Sequence, residues 1–189
     1  TGQGKSWITR QLIGNQDAKK LIRSGNNSDE ATEQLTWVGP SPPENLDTGS
    51  EKYIHCASSE MEPIGTPYLV VDAPGATDDR RSIAGITHRA LSMASVMLLV
   101  VRADQMRSDS IGALAAASEG TIVIPVINAA RSQDNEFEAE VEALLARVRR
   151  AAPTSTISRP VTIDDFEISD QSENTIGKEA ATQIASSLM

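Results

Sequence analysis

The chain has 189 residues, enough for one domain with its own core, and a formal net charge of −9 from 26 acidic and 17 basic side chains. That balance excludes a basic nucleic-acid platform, and the single cysteine, Cys56, excludes an intrachain disulfide and suits a reducing, cytoplasmic setting. No apolar run approaches the roughly 18–20 residues that cross a bilayer, and His55 and His88 have no partner at metal-ligand spacing.

The chain opens on Thr1-Gly2-Gln3-Gly4-Lys5-Ser6. Gly4, Lys5 and Ser6 fill the last three places of the phosphate-loop pattern G-x-x-x-x-G-K-[ST], whose first glycine would fall before Thr1. In such a loop the glycines let successive N–H groups face phosphate oxygens, and the following helix adds its positive end. The lysine then reaches the β- and γ-phosphates, and the hydroxyl ligates Mg²⁺. Lys5 to Arg23 reads as that helix, with Ile8, Leu12, Leu21 and Ile22 as apolar points and Gly14 as a break. The polar stretch from Ser24 to Glu30 reads as a loop, Glu33 to Val38 as a strand, and the Pro-rich residues 39–50 as irregular chain. A short strand over Tyr53–Ala57 places Cys56 in the core.

Pro67 to Gly75 repeats the signal of a nucleotide site. Four apolar residues, Tyr68 to Val71, run into Asp72-Ala73-Pro74-Gly75. An unbroken apolar run bounded by Pro and Gly suits a strand covered on both faces. A carboxylate at its C-terminal end sits where open α/β sheets bind ligands, so Asp72 is a candidate Mg²⁺ residue beside Ser6. Gly75, lacking a side chain, lets its N–H approach a γ-phosphate. Beyond it, helices are predicted over Asp79–Met93, Ser108–Ser118, Glu136–Ala152 and Ile176–Leu188. Strands are predicted over Ser95–Arg102, Thr121–Ile127 and Val161–Ile163. The alternation predicts an α/β domain over residues 1–189, with a mostly parallel sheet and helices on both faces. The strand that feeds the phosphate loop would precede Thr1, so the chain is expected to be a fragment of a longer protein whose sheet here lacks its first strand.

With Gly-Gln-Gly-Lys-Ser at residues 2–6 and Val-Val-Asp-Ala-Pro-Gly at 70–75, the chain resembles the P-loop GTPases, in particular the Era- and dynamin-like branch. The second motif fits that family's D-x-x-G switch. The resemblance implies the three-layer P-loop fold, GTP binding with Mg²⁺, slow hydrolysis, and two loops that respond to the γ-phosphate. It also implies a regulatory protein or a second copy of the chain as partner. The implied nucleotide contacts are Gly2, Gln3, Gly4, Lys5, Ser6, Trp7 and Gly75, with Ser6 and Asp72 on the metal. The switch threonine that closes over Mg²⁺ has three candidates, Thr32, Thr36 and Thr48; Thr32 leads because it lies in a loop before a strand. Two features depart from the family pattern. The guanine-reading N-K-x-D is here Asn128-Ala129-Ala130-Arg131, with Arg131 in the place of the aspartate and Asp134 three residues further on. The residue after Gly75, a glutamine in many members, is Ala76, while Arg80 and Arg81 follow closely and Gln3 lies within the loop; each is a candidate for the catalytic contact. An ATPase or base-promiscuous NTPase, and a non-hydrolysing binding module, are the alternatives these departures leave open.

Overall fold

The computed structural model describes residues 4–22, 34–73, 88–130, 134–165 and 170–189, the side chains of 170–173 excepted. The elements are α1 (Lys5–Gln11), α2 (Gln16–Leu21), β1 (Leu35–Gly39), β2 (Glu51–His55), β3 (Val70–Asp72), α3 (helical at 88–93), β4 (Val96–Arg102), α4 (Ser110–Ala117), β5 (Ile122–Ala130), α5 (Phe137–Ala151), β6 (Thr156–Ile157), β7 (Val161–Asp164) and α6 (Asp170–Ser186). The fold is α/β, and strand pairing is mostly parallel. The chain forms two compact units, Thr1–Ala90 with Gly177–Met189, and Leu91–Ile176.

In the first unit the helical pattern after Lys5 is cut in two. Gly14 sits against the Glu60 carbonyl, where an added Cβ would come within 3.0 Å of that oxygen, and its N–H donates to the same group. Asn15 then caps α2, its side-chain oxygen accepting from the N–H groups of Asp17 and Ala18 at 3.0 and 2.9 Å. The sheet runs β2-β1-β3. β1 and β2 are parallel, joined by the Pro-rich residues 40–50, whereas β3 returns antiparallel to β1. A mostly parallel sheet allows that reversal but does not say which strand makes it. An apolar run declares that a strand is covered, not which way it runs; direction is settled by the connection and the register.

Alternation along β1 divides the apolar residues between two faces. Val38 and Val70 join Ile13, Ala18, Ile22, Ile54, Cys56 and Met61 on one. Leu35 and Trp37 pack with Ala90, Tyr53, Leu69 and Val71 on the other. Gly39 ends β1 where a Cβ would meet the Tyr68 carbonyl oxygen at 2.8 Å, so the close approach of the two segments requires glycine. On the same unit, Glu51 is 4% exposed and paired with Arg89 of α3, whose guanidinium also donates to the Asn45 carbonyl at 2.7 Å. One arginine therefore ties α3 to the start of β2 and to the turn before it.

In the second unit β4, β5 and β6 lie parallel in that order, and β7 pairs parallel with the far half of β5, with a register shift between Ile127 and Ala130. The nine residues of β5 are buried from Val123 to Ile127, as their unbroken apolar run requires. Leu99, Val101, Val123 and Ile127 share a cluster with Ile111 and Ala115 of α4 and with Leu144 and Val148 of α5, so both helices cover one face of this sheet. Arg147 of α5 donates to the carbonyls of Met106 and Ser108, tying the helix to the chain leading into α4.

Tyr68 gives this architecture a pH signature. Its hydroxyl donates to the Glu62 carbonyl at 2.9 Å, and burial, with smaller contributions from Glu62 and Cys56, pushes its pKa up to about 12. The fold thus favours the neutral phenol, and that contribution is complete below pH 10.0, the ordinary phenol value, and is lost as pH rises toward 12. Stability to urea, measured from pH 9 upward, is expected to fall over that window, and Tyr68→Phe should flatten the slope.

Candidate functional site

The site is built where α1 meets the end of β3. Gly4 is the residue before the helix and takes φ 89°, ψ 15°, a left-handed conformation that glycine adopts without the strain a side chain would bring. Its carbonyl accepts the Ile8 N–H at 2.9 Å, so the first helical turn begins at once with Lys5 and Ser6. No acidic side chain occupies that turn. Burial of Ile8 and Thr9 anchors the helix to the unit.

β3 delivers the opposite half. Its last residue, Asp72, is 2% exposed, and its Oδ2 accepts a hydrogen bond from the Ser6 hydroxyl at 2.7 Å, across 66 positions of sequence. A buried carboxylate is tolerable only when hydrogen bonds or opposite charge compensate it, and Ser6 supplies one such bond. Lys5 supplies charge. Burial lowers the Lys5 pKa from its ordinary value, while the attraction of Asp72 opposes that shift. The result is a serine hydroxyl and a carboxylate side by side, with a partly desolvated lysine ammonium in the field of the same acid.

Both oxygens are hard donors, the type that Mg²⁺ selects. Among the described residues no group of three or more His, Cys, Asp or Glu is placed to hold a metal. Two protein oxygens fit Mg²⁺ in its usual role, in which water and substrate phosphates complete the octahedron. Ser6 and Asp72 are the residues that would hold it, and bound there it would neutralise phosphate charge.

The other candidates divide by position. Trp7 follows Ser6 in α1 and is half-buried. Thr36 lies within β1 and Thr48 in the exposed turn before β2. Gly2, Gln3, Thr32, Gly75, Ala76, Arg80, Arg81 and Arg131 lie outside the described residues. Asn128 belongs to the second unit, near the C-terminal end of β5. Its side-chain oxygen accepts the N–H of Ala129 at 2.9 Å, and Ala129 takes the left-handed φ of 51°.

Beside Ala129 the second unit carries a cavity of about 410 Å³ at the C-terminal ends of β4, β5 and β7. Asp104, Asp134, Glu140 and Asp165 line it with Arg102. Arg102 bonds Asp104 at 3.1 Å and Arg107 bonds Glu140 at 2.6 Å. Acids at Asp134, Glu138 and Glu140 also stand around the positive end of α5, an ordinary stabilising arrangement. Asp104 and Asp165 belong to no motif in the sequence. Each stands just beyond the C-terminal end of a parallel strand, and that position was the signal available to find them.

No protein-family model matches the chain, and no curated protein matches it.

The Ser6–Asp72 contact predicts a stability effect of its own. Hydrogen bonds to a charged partner contribute about 1.5–3 kcal/mol, so Ser6→Ala should destabilise the unliganded protein by that order in urea unfolding. The loss should shrink when Asp72 is already Asn, and equal losses in the two backgrounds would remove the contact as its cause.

Proposed function

We propose that the chain binds a nucleoside triphosphate with Mg²⁺, GTP in preference, and hydrolyses it slowly as a molecular switch on a P-loop fold. The observation that carries this reading is the 2.7 Å hydrogen bond from Ser6, in the Gly-Lys-Ser turn, to Asp72, in the Asp-Ala-Pro-Gly turn. Two motifs that each suggest half of a magnesium–phosphate site meet at one point, with Lys5 in the field of the same carboxylate.

In this reading Lys5 pairs with the β- and γ-phosphates, and its partial burial strengthens that attraction relative to water. Ser6 and Asp72 hold the cation that neutralises phosphate charge. Gly2, Gln3, Gly4 and Trp7 complete the loop, and Gly75 offers its N–H to the γ-phosphate. Arg80, Arg81 and Gln3 are the candidates for stabilising charge that develops on the transferred group, and Thr32 for closing over it. Asn128 and Arg131 would bear on the base. A regulatory protein or a second copy of the chain would tune the cycle, in a cytoplasmic setting. Among the described residues, no helix is long and apolar enough to cross a membrane.

Two specific residues favour second readings. Arg131, where an aspartate would read guanine, favours an ATPase or base-promiscuous enzyme. Ala76, where a glutamine would orient water, favours a binding module without turnover. Competition of ATP against GTP separates the first, with GTP expected to win. Phosphate release by wild type and by Arg80→Ala and Arg81→Ala separates the second: slow release that either substitution abolishes supports hydrolysis.

The binding reading is tested first. Lys5→Ala should weaken triphosphate binding by about 100-fold or more, on the scale of losing charge-assisted bonds; unchanged affinity overturns the assignment. Asp72→Ala should weaken binding in Mg²⁺ much more than in EDTA, and equal losses deny a metal role.

A further inference from the structure

The register of the first sheet carries one more residue to the site. Thr36 stands directly across from Asp72 in the antiparallel pairing of β1 with β3. Residues so paired project to the same face, with Cβ atoms about 4.5–5.5 Å apart. The neighbouring pairs identify that face. Val38 and Val70, the next pair in phase with Thr36 and Asp72, belong to the cluster of Ile13, Ala18 and Ile22. Trp37 and Val71, the pair between, belong to the opposite cluster with Leu35 and Ala90. Thr36 is therefore on the side of the sheet where Ser6 of α1 reaches Asp72.

Thr36 is only 8% exposed, and among the described residues its hydroxyl makes no hydrogen bond. The hydroxyl is not among the fully buried unpartnered atoms, so it keeps access to water at this largely buried position. Valine has the same branched shape and strand preference without an oxygen to place. Among the described residues no protein group uses the oxygen, whereas a hydrated cluster beside Asp72 would. Ser6 and Asp72 offer two oxygens to a cation that takes six, so bound waters must fill places near them and need partners of their own.

Resting on the magnesium–nucleotide reading above, we infer that Thr36 is a positioning residue of that site. Its hydroxyl holds a water of the cation shell beside Asp72, and so supplies from within the strand a contact that neither motif contains. It touches neither the phosphates nor the reacting atoms.

The test compares wild type, Thr36→Val and Thr36→Ser in the full chain, titrating Mg²⁺ against a fluorescent GTP analogue and measuring the same affinity in EDTA and the melting temperature. Loss of such outer partners typically weakens metal affinity 10- to 100-fold, so Thr36→Val should raise the half-saturating Mg²⁺ by about tenfold while affinity in EDTA stays within about twofold. The melting temperature should hold or rise, and Thr36→Ser should restore the Mg²⁺ midpoint. An unchanged midpoint in Thr36→Val overturns the inference. So does an equal loss in Mg²⁺ and EDTA with a lower melting temperature, which would make Thr36 a packing residue. If wild type itself binds the analogue no better with Mg²⁺ than with EDTA, the magnesium reading falls first and takes this inference with it.

Discussion

A buried carboxylate needs compensation, and the way Asp72 receives it organises the first unit. The acid ends a three-residue strand with almost no exposure, a position that would be costly for an unaccompanied charge. Ser6 donates to it, Lys5 lies in its field, and both come from the first turn of a helix begun by a left-handed glycine. Local backbone conformation at Gly4, strand register at Asp72 and the burial of Ile8 and Thr9 thus all bear on one contact. Losing any of them would remove part of the compensation of a buried negative charge.

The same arrangement links stability to chemistry. A lysine partly removed from water is a stronger partner for phosphate than a solvated one, because its attraction is less screened. Its lowered pKa records the desolvation that this entails, and Asp72 keeps that shift in check. On the nucleotide reading proposed above, the less comfortable unliganded state would leave partners already in place for an anionic ligand.

Much of this was legible in the sequence because it rested on local signals. The Gly14 break, the strands over Ser95–Arg102 and Thr121–Ile127, and the 3.6-residue periodicity of Val141, Leu144, Leu145 and Val148 each announce themselves within a short window. The proximity of Ser6 and Asp72 was inferred only through motif order. What the sequence did not disclose depends on partners distant along the chain. The reversal of β3 against β1 leaves no mark in Tyr68–Val71. The two-residue strand β6 is too short for periodicity. The pairing of Glu51 with Arg89 joins positions 38 apart, each of which reads alone as an ordinary surface charge. Thr36 was one of three candidate threonines, and only the register sets it opposite the acid; Thr32, favoured for its loop, lies outside the described residues.

The placing of Asp72 has a further effect on folding fidelity. Side chains alternate faces along a strand, so a slip of β3 by a single position would turn the carboxylate toward Trp37, Leu35 and Ala90, into an apolar layer with no donor from α1. Short strands are otherwise poorly indexed, having few side chains to distinguish one alignment from the next. Here the charge serves as the index mark: misaligned pairings are rejected by the cost of stranding an ion in oil, and the alignment that survives is the one that assembles the site.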